Sequence, residues 1–240
     1  MRVFKLVLIS FFLITSANSN SIYNLIKIPN LKIYELKTPN KLKYFYATKP
    51  FRLGIQKNIA CNNSDQKTYD EKYQIISKNL NRYSKEFLRK INLRYIVMCE
   101  NLSISGINTA GIPDHIMKTL IIDLKFNEKY FERVLHHELF HIINDSFKEL
   151  FNEDEWKKFN KPNFKYADCS TCSRKLGLET YKDTNGFFTE YSMTIPSEDM
   201  AEVFSHLIIG NYKNSNDEIL NKKIKFIQDK LKEIDNSFIF

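Results

Sequence analysis

After the first twenty residues no stretch is long and apolar enough to cross a bilayer as a helix, so apart from an uncleaved N-terminal anchor no stable membrane insertion is expected. No cysteine precedes Cys61, so a lipid anchor attached near the N-terminus is not expected. No internal repeat is visible, and solenoid architectures drop out with it. A concentrated basic stripe is also missing. The formal charge of +8 is spread over Lys/Asn-rich faces, whereas nucleic-acid binding needs a dense patch on a recognisable module. One CxxC pair occurs, Cys169 with Cys172, but there is no second pair and no flanking βαβ unit. A four-cysteine zinc site and a thioredoxin-like redox centre are both disfavoured on that ground.

What is present begins with Met1-Arg2-Val3-Phe4-Lys5, which is short and basic. Leu6 to Ile14 is apolar apart from Ser10, and small residues follow at Ser16-Ala17-Asn18-Ser19. This is the pattern of a secretory signal peptide over residues 1–19, cleaved near Ala17 or Ser19. Loss of Arg2 and Lys5 would lower the charge from +8 to +6. The remaining chain of about 220 residues can bury one substantial core, so a secreted, monomeric single-domain protein is expected. Residues 20–60, punctuated by Pro29, Pro39 and Pro50, read as an extended N-terminal segment with short strands such as Lys43-Tyr44-Phe45-Tyr46, and 61–240 as the domain proper. Four cysteines in an exported chain imply two disulfides. Sequence does not choose among the three connectivities, of which Cys61–Cys99 with Cys169–Cys172 is the simplest.

The chemistry concentrates in His137-Glu138-Leu139-Phe140-His141. Residues four apart project from one face of a helix, so both imidazoles can reach one ion. Zinc takes nitrogen and carboxylate donors at about 2.0–2.2 Å, and a catalytic site uses three from the protein. Glu138, at the rim of the same face, is placed to take a proton from a water at that ion. Asn127 and Glu128 mark the start of the helix, and Phe131, Val134, Leu135, Leu139 and Ile142 give it an apolar stripe to about Asp145. The preceding Thr119–Leu124 run is β-branched and reads as a strand. Further elements are a helix from Asp70 with a stripe at Tyr73, Ile76, Leu80, Tyr83 and Phe87, a strand at Arg94–Val97, and a last helix after Asp217. Gly111-Ile112-Pro113-Asp114 reads as a turn carrying a solvent-facing His115, and His206 as a hydrogen-bonded structural histidine.

Two histidines alone do not complete a site. A third histidine six residues after the pair is ruled out, because Phe147 stands there and Asn144 stands where that pattern needs glycine. A carboxylate from a later helix remains. In Pro196-Ser197-Glu198-Asp199-Met200-Ala201-Glu202, Ser197 is a suitable N-cap and three acids crowd the first turns. Glu198 and Glu202 share a face, so one could bind the metal while the other orients a liganding histidine; helix geometry does not decide which.

These residues resemble a family. Val134-Leu135-His136-His137-Glu138-Leu139-Phe140-His141 resembles the zinc helix of gluzincin metallopeptidases. With Asp154-Glu155-Trp156-Lys157-Lys158-Phe159-Asn160 and Tyr191–Glu202, it looks like small secreted zinc-binding metallopeptidases related to the anthrax lethal factor catalytic domain. The resemblance covers roughly Leu93 to Gly210. It implies Glu198 as the third ligand, Glu202 as the orienting acid and Tyr191 as a hydroxyl donor near the metal. A phenol there could stabilise the oxyanion formed when water attacks a peptide carbonyl. One departure is the loop 166–172, where the family leads one to expect a glycine-rich segment without cysteine. The resulting expectation is an α+β, zincin-like single domain, with a small mixed sheet, one helix carrying the histidine pair and a second carrying the glutamate. Its activity would be zinc-dependent hydrolysis of peptide bonds in a peptide or protein substrate. A catalytically silent zinc-binding protein and a toxin-like peptidase with a single host substrate share the same site.

Overall fold

The computed structural model describes residues 30–172, 176–210, 212 and 216–240. The signal-peptide segment 1–19 lies outside the described residues. From residue 30 onward the proline-punctuated segment supplies β1 (Leu31–Glu35), β2 (Lys43–Ala47), β3 (Phe51–Leu53) and the start of β4 (Ile59–Asn62). Two short helices follow, α1 (Gln66–Leu80) and α2 (Lys85–Lys90), and then β5 (Tyr95–Ile104), β6 (Ile107–Asn108), β7 (Gly111–Asp114) and β8 (Thr119–Asp123). The remainder is helical: α3 (Phe131–Ser146), α4 (Glu153–Lys157), α5 (Pro196–Ile208) and α6 (Glu218–Ile234). The result is a mixed α+β domain with a curled sheet and six helices among the described residues.

β5 is the spine of the sheet. Its first half lies between β2 and β8, both parallel to it, with Tyr95 opposite Lys43 on one side and Thr119 on the other. β1 closes one edge antiparallel to β2, and β7 closes the other antiparallel to β8. The second half of β5 curls away and pairs antiparallel with β4 and β6, and β3 continues from β4. Alternate residues divide between the two faces, as strand geometry requires. Tyr44, Ile96, Met98, Leu120 and Ile122 face the helices and belong to the main core. Phe45, Val97, Cys99 and Ile121 face the other way and are covered by Phe51 and Cys61 of the curled hairpin. The Cys61–Cys99 disulfide is buried in this second cluster, and Cys169 bonds Cys172.

Several boundaries differ from the sequence reading, each for a local reason. The stripe from Tyr73 to Phe87 is carried by two helices. The Asp65 carboxylate caps α1 at Thr68 N (2.8 Å), the chain turns after Leu80, and Ser84 starts α2 by accepting from Phe87 N. Tyr83 and Phe87 stay buried across the break. Asn127 caps a single 3-10 turn at Glu128–Tyr130, and α3 begins only at Phe131. Ser197 is inside α5: Ile195 is the N-cap and Pro196 takes the first helical position, where its missing N–H costs nothing.

Gly111–Asp114 is a strand where the sequence suggested a turn, and the turn itself falls at His115–Lys118. Proline is tolerated in β7 because the strand is an edge. Asp123 N donates to Ala110 O (2.9 Å), which fixes the alternation so that residues 111 and 113 turn their backbone groups to the free side. His115 is partly exposed and has Nδ1 3.7 Å from Asp145 Oδ2. α5 is buried almost all round, lying between α3, which carries the histidines, and α6, whose Leu220, Ile224, Ile227, Leu231 and Ile234 are all buried.

Candidate metal centre

The motif histidines leave the same face of α3 one turn apart and meet the first turn of α5. His137 Nε2 is 2.8 Å from Glu198 Oε2, His141 Nε2 is 3.2 Å from the same oxygen, and the two Nε2 atoms are 3.2 Å apart. Three donors on a tetrahedron with bonds of about 2.0–2.1 Å would be separated by about 3.3 Å, so the set fits a zinc ion in both spacing and chemistry. Glu198 owes its position to the helix start, where Pro196 sets the entry and the backbone dipole favours an anion.

Glu202, one turn further along α5, does not join the three donors. Its Oε1 lies 2.9 Å from His137 Nδ1, leaving Nε2 as the nitrogen that faces the site. Its Oε2 accepts from Arg133 Nη1 (3.1 Å) and Thr189 Oγ1 (2.9 Å). Arg133 sits one turn before His137 on α3, is 3% exposed, and also donates to His206 Nε2 (2.8 Å) and Leu178 O (2.7 Å). His206 stacks on Phe188 at a centroid distance of 4.2 Å, and burial above all lowers its pKa to about 4. It is hydrogen-bonded, and through Arg133 it also sits beside Glu202.

Electrostatics follow from burial against pairing. Burial disfavours a cation on His137, but Glu198 and Glu202 outweigh it and raise its pKa to about 10. Burial likewise opposes the charge on Glu202, yet the hydrogen bond with His137 and the charges of His137 and Arg133 lower it to about 2. For Glu198 burial is again overcome, by His141 first and then His137, and the carboxyl is held far below its ordinary range.

Glu138 is different. It is not one of the three donors, and burial pushes it up to about 7 despite the nearby imidazoles. Its stem runs against the backbone of Gly111 on β7. Tyr191 lies on a 3-10 turn before α5, with its ring 5.9 Å from that of His137. Burial, then the charges of Glu198 and Glu138, raise its pKa, so the phenol keeps its proton as a donor.

Behind Glu198 is a buried pair. Asp199 Oδ2 accepts from Lys223 Nζ (2.6 Å), Tyr166 OH (2.6 Å) and Trp156 Nε1 (2.8 Å), which ties the first turn of α5 to α6, α4 and the 166–172 loop. In that loop the Cys169–Cys172 disulfide replaces the expected glycine-rich segment, and Ser170 lies beside the Tyr191 hydroxyl. Arg133, Thr189, Asp199, Lys223 and Gly111 were not singled out as site residues from sequence. Arg133 alone carried a signal there, as a cation on the buried stripe one turn ahead of the motif. A cleft of about 570 Å³ along Phe164, Tyr166, Asp168 and Pro196 borders the same loop without including the three donors.

A solved structure described as a "putative zinc-binding metallo-peptidase" from Bacteroides caccae is similar over 81% of this chain and 80% of its own, at 18% identity and a TM-score of 0.48. No curated protein matches the chain. Residues 72–236, which contain the histidine pair and both glutamates of α5, match the family described as "Putative zinc-binding metallo-peptidase", and the chain belongs to that family.

Proposed function

We propose that this protein is an exported, monomeric, zinc-dependent endopeptidase of zincin type, acting on peptide or protein substrates. The observation that carries the reading is the convergence of His137 Nε2, His141 Nε2 and Glu198 Oε2, with Glu138 beside them and outside the ligand set. A zinc ion held there would supply Lewis acidity to a water and to the scissile carbonyl. Glu138 accepts the proton of the attacking water and hands it to the departing amine. Tyr191 donates its hydroxyl proton in a hydrogen bond to the developing oxyanion. Glu202 keeps His137 oriented through Nδ1, and Arg133 and Thr189 keep Glu202 oriented in turn. An extended peptide lies along the outer edge of β7, where the Gly111 N–H and the Pro113 carbonyl face outward and the Gly111 carbonyl accepts from Thr109 Oγ1 (3.0 Å).

Export is supported by the N-terminal pattern, by the two disulfides, and by the lack, among the described residues, of any helix able to cross a membrane. The test is metal analysis with a peptide-library assay on the parent and Glu138→Gln. The parent should hold one zinc per chain and cleave peptides in a chelator-sensitive manner. The variant should hold the same zinc and lose turnover by about 10²–10⁴-fold. Cleavage by Glu138→Gln at the parental rate would refute the mechanism.

A further inference from the structure

Gly111 has no conformational reason to be glycine. It lies in the extended strand β7, outside the left-handed backbone region in which glycine is favoured. What it supplies is space. A Cβ at this position would lie 2.8 Å from Glu138 Cγ and 3.1 Å from Glu138 Cδ on one side, and 3.2 Å from Ile121 O on the other. The first distance is closer than carbon atoms can approach. The carbonyl belongs to β8, which is hydrogen-bonded on both sides by β5 and β7 and buried at every residue, so it cannot retreat. The Glu138 side chain is the flexible partner and would have to swing.

We propose that Gly111 is the positioning residue of the proton acceptor. Its missing side chain is the slot that holds the Glu138 stem against the sheet edge, with the carboxyl beside the metal donors. This rests on the reading of Glu138 as the group that takes the proton. The atoms nearest an alanine Cβ at 111 belong to Glu138 and Ile121 and not to His137, His141 or Glu198, so alanine moves that carboxyl and leaves the donors in place. Alanine retains the backbone N–H and C=O of position 111, so pairing of a substrate strand with β7 is preserved. A displacement of the order of 1 Å at a reacting group is worth about a hundredfold in rate.

The experiment compares Gly111→Ala in three backgrounds, the parent, Glu138→Gln and Glu138→Ala, by zinc affinity, steady-state kinetics and thermal unfolding. In the parent background, zinc affinity and KM should stay within about threefold while kcat falls by about a hundredfold. The drop in Tm caused by Gly111→Ala should be the same with Glu or Gln at 138, which have the same stem. It should shrink with Ala at 138, which lacks the two colliding carbons and leaves only the 3.2 Å approach to Ile121 O. If Gly111→Ala alone does not fold, the double variant with Glu138→Ala should fold. Parental kcat in Gly111→Ala, or an equal thermal penalty in all three backgrounds, overturns the proposal. A parent without peptidase activity would sink the enzymatic reading instead, and the thermal comparison would still decide the contact.

Discussion

Glu202→Gln is the most exacting perturbation of the centre, because it changes one charge and almost no volume. Both carboxylate oxygens of Glu202 accept hydrogen bonds, Oε1 from His137 Nδ1 and Oε2 from Arg133 and Thr189. A glutamine has one acceptor oxygen and one NH2. Arg133 and Thr189 are two donors, one of them cationic, and they capture the amide oxygen. The NH2 then points at His137 Nδ1 and forces that atom to accept. The ring proton moves to Nε2, the atom that must be bare to bind a metal. The opposite flip places an NH2 against a buried guanidinium, which is no cheaper. Losing an orienting partner of this kind costs about 10–100-fold in metal affinity, or about 1.4–2.8 kcal/mol. A chelator-competition titration at pH 7.5 on the parent, Glu202→Gln and Glu198→Ala reads this directly. Glu198→Ala removes a donor atom outright and should be weaker still. If Glu202→Gln binds zinc as tightly as the parent, the tautomer argument is wrong. If it is weaker than Glu198→Ala, the ligand assignment on α5 is reversed.

Chelation should destabilise the protein, since binding to the folded state alone contributes about 4 kcal/mol at a thousandfold excess over Kd, or roughly 8–16 °C in Tm; an unchanged thermal scan would contradict a site held between two helices. Lys223→Met strands the Asp199 carboxylate in a site where both partners are fully buried and should cost about 3–5 kcal/mol, with much of it regained in Lys223→Met/Asp199→Asn, as read by urea unfolding; an additive double variant would refute the coupling. His136 is buried between Tyr83 OH and Asn79 Oδ1, and burial above all holds its pKa at about 3, below the ordinary 6.5. The unfolded chain therefore binds the extra proton first, so this contribution is complete above pH 6.5 and falls away toward pH 3, by about 2 kcal/mol at pH 5. Chelated parent and His136→Gln, unfolded in urea at pH 5 and 7.5, should differ in that pH dependence, and equal dependence would refute the assignment.

How far the sequence disclosed this arrangement depends on the range of the interaction concerned. The His137/His141 pair was legible because a single helix turn sets its spacing, and the strand at Thr119 because β-branched residues announce it. Glu198 was found as one of two candidates; only packing of α5 against α3 separates a carboxylate that faces two imidazoles from one that faces a ring nitrogen and an arginine. The reading of Gly111–Asp114 as a turn failed because glycine and proline have a second use at a sheet edge, where neither a missing side chain nor a missing N–H breaks the ladder. The break between α1 and α2 was hidden for a related reason: Tyr83 and Phe87 remain in phase with the buried stripe while the backbone does not. Lys223 was the least legible, since a lysine on an amphipathic helix reads as solvated until Asp199, 24 residues earlier, is brought against it.

The charges around the centre are themselves an argument about what it holds. Glu138, Glu198 and Glu202 bring three carboxylates into a region that a protein of this size normally fills with hydrocarbon, and Arg133 returns one positive charge. Buried charge persists only where something compensates it. Pairing with Glu198 and Glu202 makes His137 basic, and burial drives Glu138 toward the neutral form. A divalent cation held by His137, His141 and Glu198 would supply the missing two charges at once.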